Sequence, residues 1–450
     1  MISKENKDKV FSNINYYLLL FLACGPIIFL FISILFSDAS IDTLFYICSF
    51  LFVVVFVIYF VLTVQNLKFG KIKDKLVLTM VILLTIGLTC VLISTFIRGY
   101  IINALQILMY VMLFFSVLML NKKQTKVFLF ILISNFALSC LLGIMDPTGY
   151  VVPGFQSNHV QSSLFFFHSN YSQAIAVMLI VLTYHLLLKE KNPILTTFYA
   201  IYFVLIGLHM FINSSSVGIT CVFLIMITNI IVDWIRTKKF PLRLFLIFLT
   251  YTSFAFLVEL YPGIYYLRSA HYNYFIEMFD VFDNIFGTNL TKEWFNIDFV
   301  PGSNGWERDS LLVESIAAVW GNSSMGFGER LVNILFGLGG GHIHILRPHN
   351  MFVGAWVDFG IIFAISLYAI IILGLVYVIR KFKHNINDIM PYVYATIGYL
   401  FVTMFGSMIV YHFMYFVIVF ALMLNTTKRN HLIEQKRIGY KILHSEEEQK

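Results

Sequence analysis

The chain has 450 residues, of which 59% are hydrophobic and only 12% charged, with a formal net charge of +7. A soluble domain carries about 25% charged residues, so a soluble globular protein is excluded, and the apolar runs are too many and too long for a signal peptide. The basic residues fall mostly in short loops between those runs, which removes nucleic acid as a partner.

In chain order, twelve spans are expected, at about 16–37, 43–64, 76–97, 100–120, 127–145, 164–188, 194–212, 215–235, 242–260, 350–379, 391–405 and 408–424, the last two divided by a turn near Gly406. With the N-terminus in the cytoplasm, 25 of the 31 Lys and Arg residues fall in inside loops. The outside receives Arg98, Arg268, Lys292, Arg308, Arg330 and Arg347. This is the asymmetry that orients membrane proteins, and it places both termini on the cytoplasmic side. The fold class is therefore an all-α integral membrane protein. Its parts are a membrane domain over 1–260, an external loop over 261–349, a second membrane domain over 350–424 and a cytoplasmic tail over 425–450. The acidic end of that tail, "HSEEEQK", reads as disordered.

The external loop holds five basic and nine acidic residues and aromatic clusters such as "YPGIYYLRSAHYNYFIEMF". A flexible linker is poor in aromatics, so short amphipathic helices lying on the outer membrane face are expected. All five cysteines lie inside spans, with no disulfide framework or Cys-x-x-Cys. Eight of the twelve histidines fall in the outer half, and five of the six outside cations are arginines. Arginine grips phosphate with a planar fork of donors, so this face suits a lipid-linked pyrophosphate carrying sugars, although ordinary surface polarity gives the same residues.

The stretch "LRPHNMFVGAWVDFG" at 346–360 joins the loop to span ten. Asn350 suits a helix cap, while a neutral imidazole at His349 is able to take a proton from a hydroxyl near neutral pH. Asp358, about two turns into the span, is a costly place for a carboxylate; it marks a functional site or hydrogen-bonds a neighbouring span. Arg98 reads as an interfacial anchor or an anion ligand. His342, His344 and His349 lack an acid or cysteine at ligand spacing, so no metal and no cofactor is expected.

These motifs resemble the O-antigen ligase and polymerase superfamily. The resemblance rests on His349 and Asn350 before an apolar helix with Asp358 and Gly360, on "GERLVNILFGLGGG" with Arg330, Gly337 and Gly339, and on "FFFHSNYSQAIAVMLI" with Asn170 at a helix start. It implies an architecture like that of the GT-C-like membrane glycosyltransferases. It also implies transfer of a glycan from undecaprenyl pyrophosphate to a lipid-linked repeat on the outer face of the cytoplasmic membrane, without metal. In that reading His349 is the base, Arg330 and Arg347 act at the reacting centre, and Arg308, Arg98, Arg268, Asn350, Asn170 and Asp358 bind substrate or pyrophosphate. The partners implied are the undecaprenyl-pyrophosphate-linked oligosaccharide, membrane lipid and a chain-length regulator protein. One departure stands out: in "NSSSVGI", Ser216 occupies the position of the family's arginine, so another outside arginine must replace it. The alternatives are a ligase passing glycan to a lipid A core, and a flippase or transporter.

Overall fold

The computed structural model describes residues 12–21, 23–24, 74–99, 101–145, 169–212, 216–259, 313–321, 324–339, 350–381, 388–406 and 413–447. Over these the chain forms α1 (Lys75–Arg98), α2 (Ile101–Leu118), α3 (Lys122–Met145), α4 (Ser169–Lys189), α5 (Pro193–Ile212), α6 (Ser216–Thr237) and α7 (Leu242–Glu259). Then follow α8 (Phe327–Phe336), α9 (Met351–Phe359), α10 (Ile361–Lys381), α11 (Met390–Gly406) and α12 (Phe413–Glu447). Short helical pieces also cover 12–21 and 313–320, and no strand occurs among the described residues.

Polar residues punctuate the apolar helices. Asp74 caps α1 by accepting from the Leu76 N–H, and Gly99 closes it in the left-handed region. Asn121 and Gln124 exchange hydrogen bonds of 3.0 Å each, side chain to backbone, a reciprocal cap that satisfies N–H groups the first turn of α3 leaves open. Pro193 opens α5, where a missing N–H does no harm, and Asn192 accepts from Ile194.

Among the described residues, six helices are long and apolar enough to cross a membrane: Lys75–Arg98, Lys122–Leu141, Ser172–Lys189, Pro193–Ile212, Val217–Thr237 and Ile361–Lys381. Their surface agrees with that character. Leu78, Ile82, Ile86, Leu92 and Phe96 are all exposed on α1 alone, a stripe that costs little against lipid tails and much against water. Expected span two, and span one apart from 16–21 and 23–24, lie outside the described residues.

Two expectations are corrected. Span ten is not one helix: it is broken at Gly360 into the nine-residue α9 and the 21-residue α10. Hydrophobicity is continuous across that point, so an apolar count cannot see the break; the cause is a close backbone approach described below. The acidic end, in turn, is not disordered from its first residue. α12 continues to Glu447 and takes in the start of the acidic end. The apolar run stops near residue 424, but a helix needs only good helix formers to propagate. The loop does carry a short amphipathic helix, α8, while most of 261–349 lies outside the described residues.

α4 is the centre of the bundle. Every residue from Ser172 to Leu182 is buried, as an all-round apolar helix requires. Large rings fill the space around it, with Tyr399 stacked on Phe416 at 4.5 Å between centroids. One end of the bundle is basic and its parts are tied together there. Lys381 pairs with Asp74 at 3.1 Å, Lys189 with Asp388 at 3.2 Å, and Arg243 donates to the last carbonyls of α4 at Leu187 and Leu188. These contacts make α1 and α10 antiparallel and send the start of α9 and the end of α1 to the opposite end.

Candidate functional site at the α8–α9 corner

At the end opposite the basic one, three helix C-termini meet: those of α1, α8 and α9. α8 stops at Gly337, whose N–H bonds to Asn333 O, at φ 74 and ψ −176. α9 stops at Gly360, whose N–H bonds to Trp356 O, at φ 92 and ψ 164. Both glycines occupy a backbone region that side chains exclude, and both are in backbone contact with the other helix. A Cβ on Gly337 would lie 2.5 Å from the carbonyl carbon of Asp358; one on Gly360 would lie 1.9 Å from the carbonyl oxygen of Leu335. This contact is what breaks expected span ten. It also gives part of the "GLGGG" stretch a structural role: Leu338 donates to Val357 O at 2.7 Å and Gly339 to Asp358 O at 3.2 Å.

Side chains reinforce the junction. Trp356 Nε1 donates to Ile334 O at 3.2 Å, and Ser94 Oγ to Asp358 O at 3.3 Å. Arg98, in the last turn of α1, donates through Nε to Gly337 O at 3.2 Å and through Nη2 to the side-chain oxygen of Asn333. Each helix C-terminus carries a partial negative charge, about half an elementary charge at most. Arg98 supplies the cation among three of them. Its anchor role is thus bonding within the protein, with two of the five guanidinium donors engaged by acceptors on α8.

Asn350 caps α9. Its side-chain oxygen accepts from the N–H groups of Phe352 and Val353 at 2.9 and 3.1 Å, and its Nδ2 donates to Met404 O at 3.1 Å, tying the start of α9 to the end of α11. Asp358 is 1% exposed, and among the described residues neither carboxyl oxygen has a hydrogen-bond partner. Among those residues its side chain bonds to no neighbouring span, and its backbone carbonyl is what is used. Arg330 sits half-buried on α8, one turn before Asn333.

The structure therefore gathers Arg98, Arg330, Asn350 and Asp358, with Gly337, Gly339 and Gly360, on three elements that touch. Asn170 lies at the start of α4, at the same end of the bundle but on other elements; nearby, a Cβ on Gly218 would come within 2.5 Å of Gln173, so the starts of α4 and α6 are packed together. Ser216 opens α6. His349, Arg347, Arg308 and Arg268 lie outside the described residues, as do His342 and His344. Among the described residues no group of three or more His, Cys, Asp or Glu is placed to hold a metal. Sequence reasoning missed Asn333, Ser94 and Trp356. Asn333 alone carried a signal, being polar one turn after Arg330 in an otherwise apolar run; its partner is 235 residues away.

No protein-family model, curated protein or solved structure matches the chain.

Proposed function

We propose that the chain is a membrane glycosyltransferase that lengthens a polysaccharide carried on undecaprenyl pyrophosphate, an O-antigen or capsule polymerase of the cytoplasmic membrane. The basic end faces the cytoplasm, with both termini, and the α8–α9 corner faces outward. The observation that carries this reading is the corner itself. The Gly-x-Arg segment and the His-Asn segment, which the resemblance pairs, end in glycines that lock against each other.

In this reaction a sugar hydroxyl of the incoming repeat attacks the anomeric carbon of the lipid-linked chain. A new carbon–oxygen bond forms, the anomeric bond to the pyrophosphate oxygen breaks, and the leaving pyrophosphate keeps the electron pair. His349, immediately before the α9 cap, takes the hydroxyl proton. Arg330 and Arg347, with Arg308 and Arg268, offset the charge gathering on the leaving group, where one well-placed contact is worth roughly 3–4 kcal/mol of barrier. No metal enters the scheme.

A second reading, a flippase or transporter, draws on one observation. Expected span ten is discontinuous beside a buried carboxyl at Asp358, a feature found at transporter sites. Purified protein in detergent separates the two, because detergent leaves no compartments to transport between. Given a lipid-linked repeat, a polymerase yields a ladder of lengthened chains and a transporter yields none. His349→Ala should abolish the ladder in folded protein, and Arg330→Lys should restore only part of what Arg330→Ala loses, since an ammonium lacks the bidentate fork. A normal ladder from His349→Ala removes the base assignment.

A further inference from the structure

The bundle contains two tight pairs, α1 with antiparallel α10 and α2 with parallel α12, and between the pairs runs an apolar groove of roughly 350 Å³. Its floor is an aromatic ladder. Tyr110 meets Phe413 edge-on, Phe413 stacks on Phe416, Phe416 on Phe420, and Phe420 on Phe114. Its lining is apolar apart from the Tyr110 and Tyr377 hydroxyls, Ser366 and Lys428.

The groove has a direction. Along α1 it runs from Val77 to Leu88, and along α12 from Phe413 to Lys428, about 16 and 22 Å at the helical rise. That is close to the roughly 15 Å of one leaflet's hydrocarbon. Its foot lies at the basic end, and it stops about 15 Å along α1 short of Arg98. Two lysines stand at the foot. Lys381 is committed to Asp74 and lies 6.0 Å over the Tyr377 ring. Lys428 is exposed and makes no ion pair among the described residues.

We propose that this groove holds one acyl chain of an anionic phospholipid drawn from the leaflet at the basic end, with Lys428 on its phosphate. An apolar trough alone would not choose among lipids, because any tail fills it equally well. The unneutralised cation at its foot supplies the choice, and a basic residue near an anionic lipid surface favours it by about fivefold. The position of that cation also argues against the donor's polyprenyl chain, whose pyrophosphate belongs at the opposite end. The inference does not depend on the polymerase reading.

The test is photolabelling of the full chain in phosphatidylcholine nanodiscs doped with one of three probes carrying a diazirine in the chain: phosphatidylglycerol, phosphatidylcholine or polyprenyl phosphate. Phosphatidylglycerol should label peptides spanning 77–88 and 413–428 at least severalfold above the other two, and unlabelled phosphatidylglycerol should compete. Lys428→Gln should lower that labelling about fivefold. Gly87→Leu should abolish it, since Gly87 lies on the groove wall 3.6 Å from Phe363 and Ser366 by its absent Cβ. Leu84→Trp is the second blocker, and monodisperse elution with an unchanged melting temperature certifies the fold of whichever variant is read. Labelling of the exposed face of α6 around Ile231 and Ile235 should not move with either change. Equal labelling by phosphatidylglycerol and phosphatidylcholine, indifferent to Lys428→Gln, would mean ordinary boundary lipid and overturn the proposal. Stronger labelling by polyprenyl phosphate would overturn it too.

Discussion

Replacing Gly360 by Ala tests the corner most directly. The residue sits at φ 92 and ψ 164, a region that non-glycine residues enter at a cost of about 1–3 kcal/mol. The added methyl would also lie 1.9 Å from Leu335 O and 2.5 Å from Phe336 N. Those are backbone atoms, so no rotamer change relieves the overlap, and α8 must move away from α9. Overpacking of this kind costs a further 1–3 kcal/mol or so. Together the two terms reach about 2–6 kcal/mol, a large share of the 5–15 kcal/mol that typically holds a folded protein together. Gly337→Ala should behave alike, with φ 74 and a contact of 2.5 Å to the Asp358 carbonyl carbon. Gly328, inside α8 with nothing within 4 Å of its absent Cβ, is the control: alanine there should stabilise by about 0.5–1 kcal/mol. The assay is the thermal midpoint of monodisperse protein in detergent, read by size-exclusion after heating, with the ladder assay run on the same preparations. Midpoints for Gly360→Ala and Gly337→Ala equal to that of the unsubstituted chain would falsify the backbone-to-backbone junction.

Three further outcomes are expected. Arg98→Lys should destabilise the protein by about 1.5–3 kcal/mol, read as a lower midpoint, because one ammonium does not span Gly337 O and Asn333 as the fork does; Asn333→Ala in the Arg98→Lys background should add little, as a double-mutant cycle would show. Asn350→Ala should cost about 1 kcal/mol from the lost α9 cap, and Asn350→Asp should recover most of that, being an equally good cap; no recovery would mean the bond to Met404 O matters more than the cap. At Asp74, partial burial raises the carboxyl's pKa, but the Lys381 hydrogen bond and the α1 N–H groups outweigh it and hold it below the usual range. The group's folded value is lowered, so its contribution is full above the ordinary carboxylate pKa of about 4 and fades as pH falls through the lowered value; Lys381→Met should flatten the acid side of a midpoint-against-pH curve.

Much of the bundle was legible because hydrophobic run length is a direct physical requirement of a membrane span. The expected starts and ends of spans three to nine fall within a few residues of α1 to α7, apart from the starts of α3 and α4, and the turn near Gly406 is the end of α11. The Asn350 cap was legible as well, since a short polar side chain before an apolar helix has few other uses. What escaped was decided by contacts distant in sequence. Nothing local announces that Gly360 ends a helix, because Asp358, Phe359 and Ile361 all tolerate helix and a single glycine inside an apolar run usually does too. The break exists because Leu335 and Phe336, about 25 residues upstream, need the room a side chain would fill. Ser94 was invisible for the same reason, and the polarity of Asn333 showed without its purpose: each serves a partner brought close only by the folded chain. α12 escaped in the opposite sense. Its apolar signal ends near residue 424 but its helix-forming signal does not, and the helix runs on to Glu447.

The arginines are where fold and chemistry constrain each other most. The family resemblance requires a cation to replace the one absent at Ser216, and Arg98 was one of the sequence candidates. In the folded chain Arg98 points two donors at Gly337 O and Asn333, with three helix C-termini around it. A guanidinium in that position offsets negative charge the fold itself creates, so recruiting it to a pyrophosphate would expose those termini to a second source of negative charge. Arg330 stands elsewhere on α8. It lies one turn before Asn333 on the same helix, on the element whose C-terminus is locked to α9, so it is held at a fixed distance from the cap that precedes Asp358. Within the proposed reaction this divides the labour: Arg98 ties α1 to the end of α8, and Arg330 meets the leaving group. The division requires that Arg98→Lys lose elongation only in proportion to its loss of folded protein, whereas Arg330→Ala loses elongation well beyond whatever folded protein it loses.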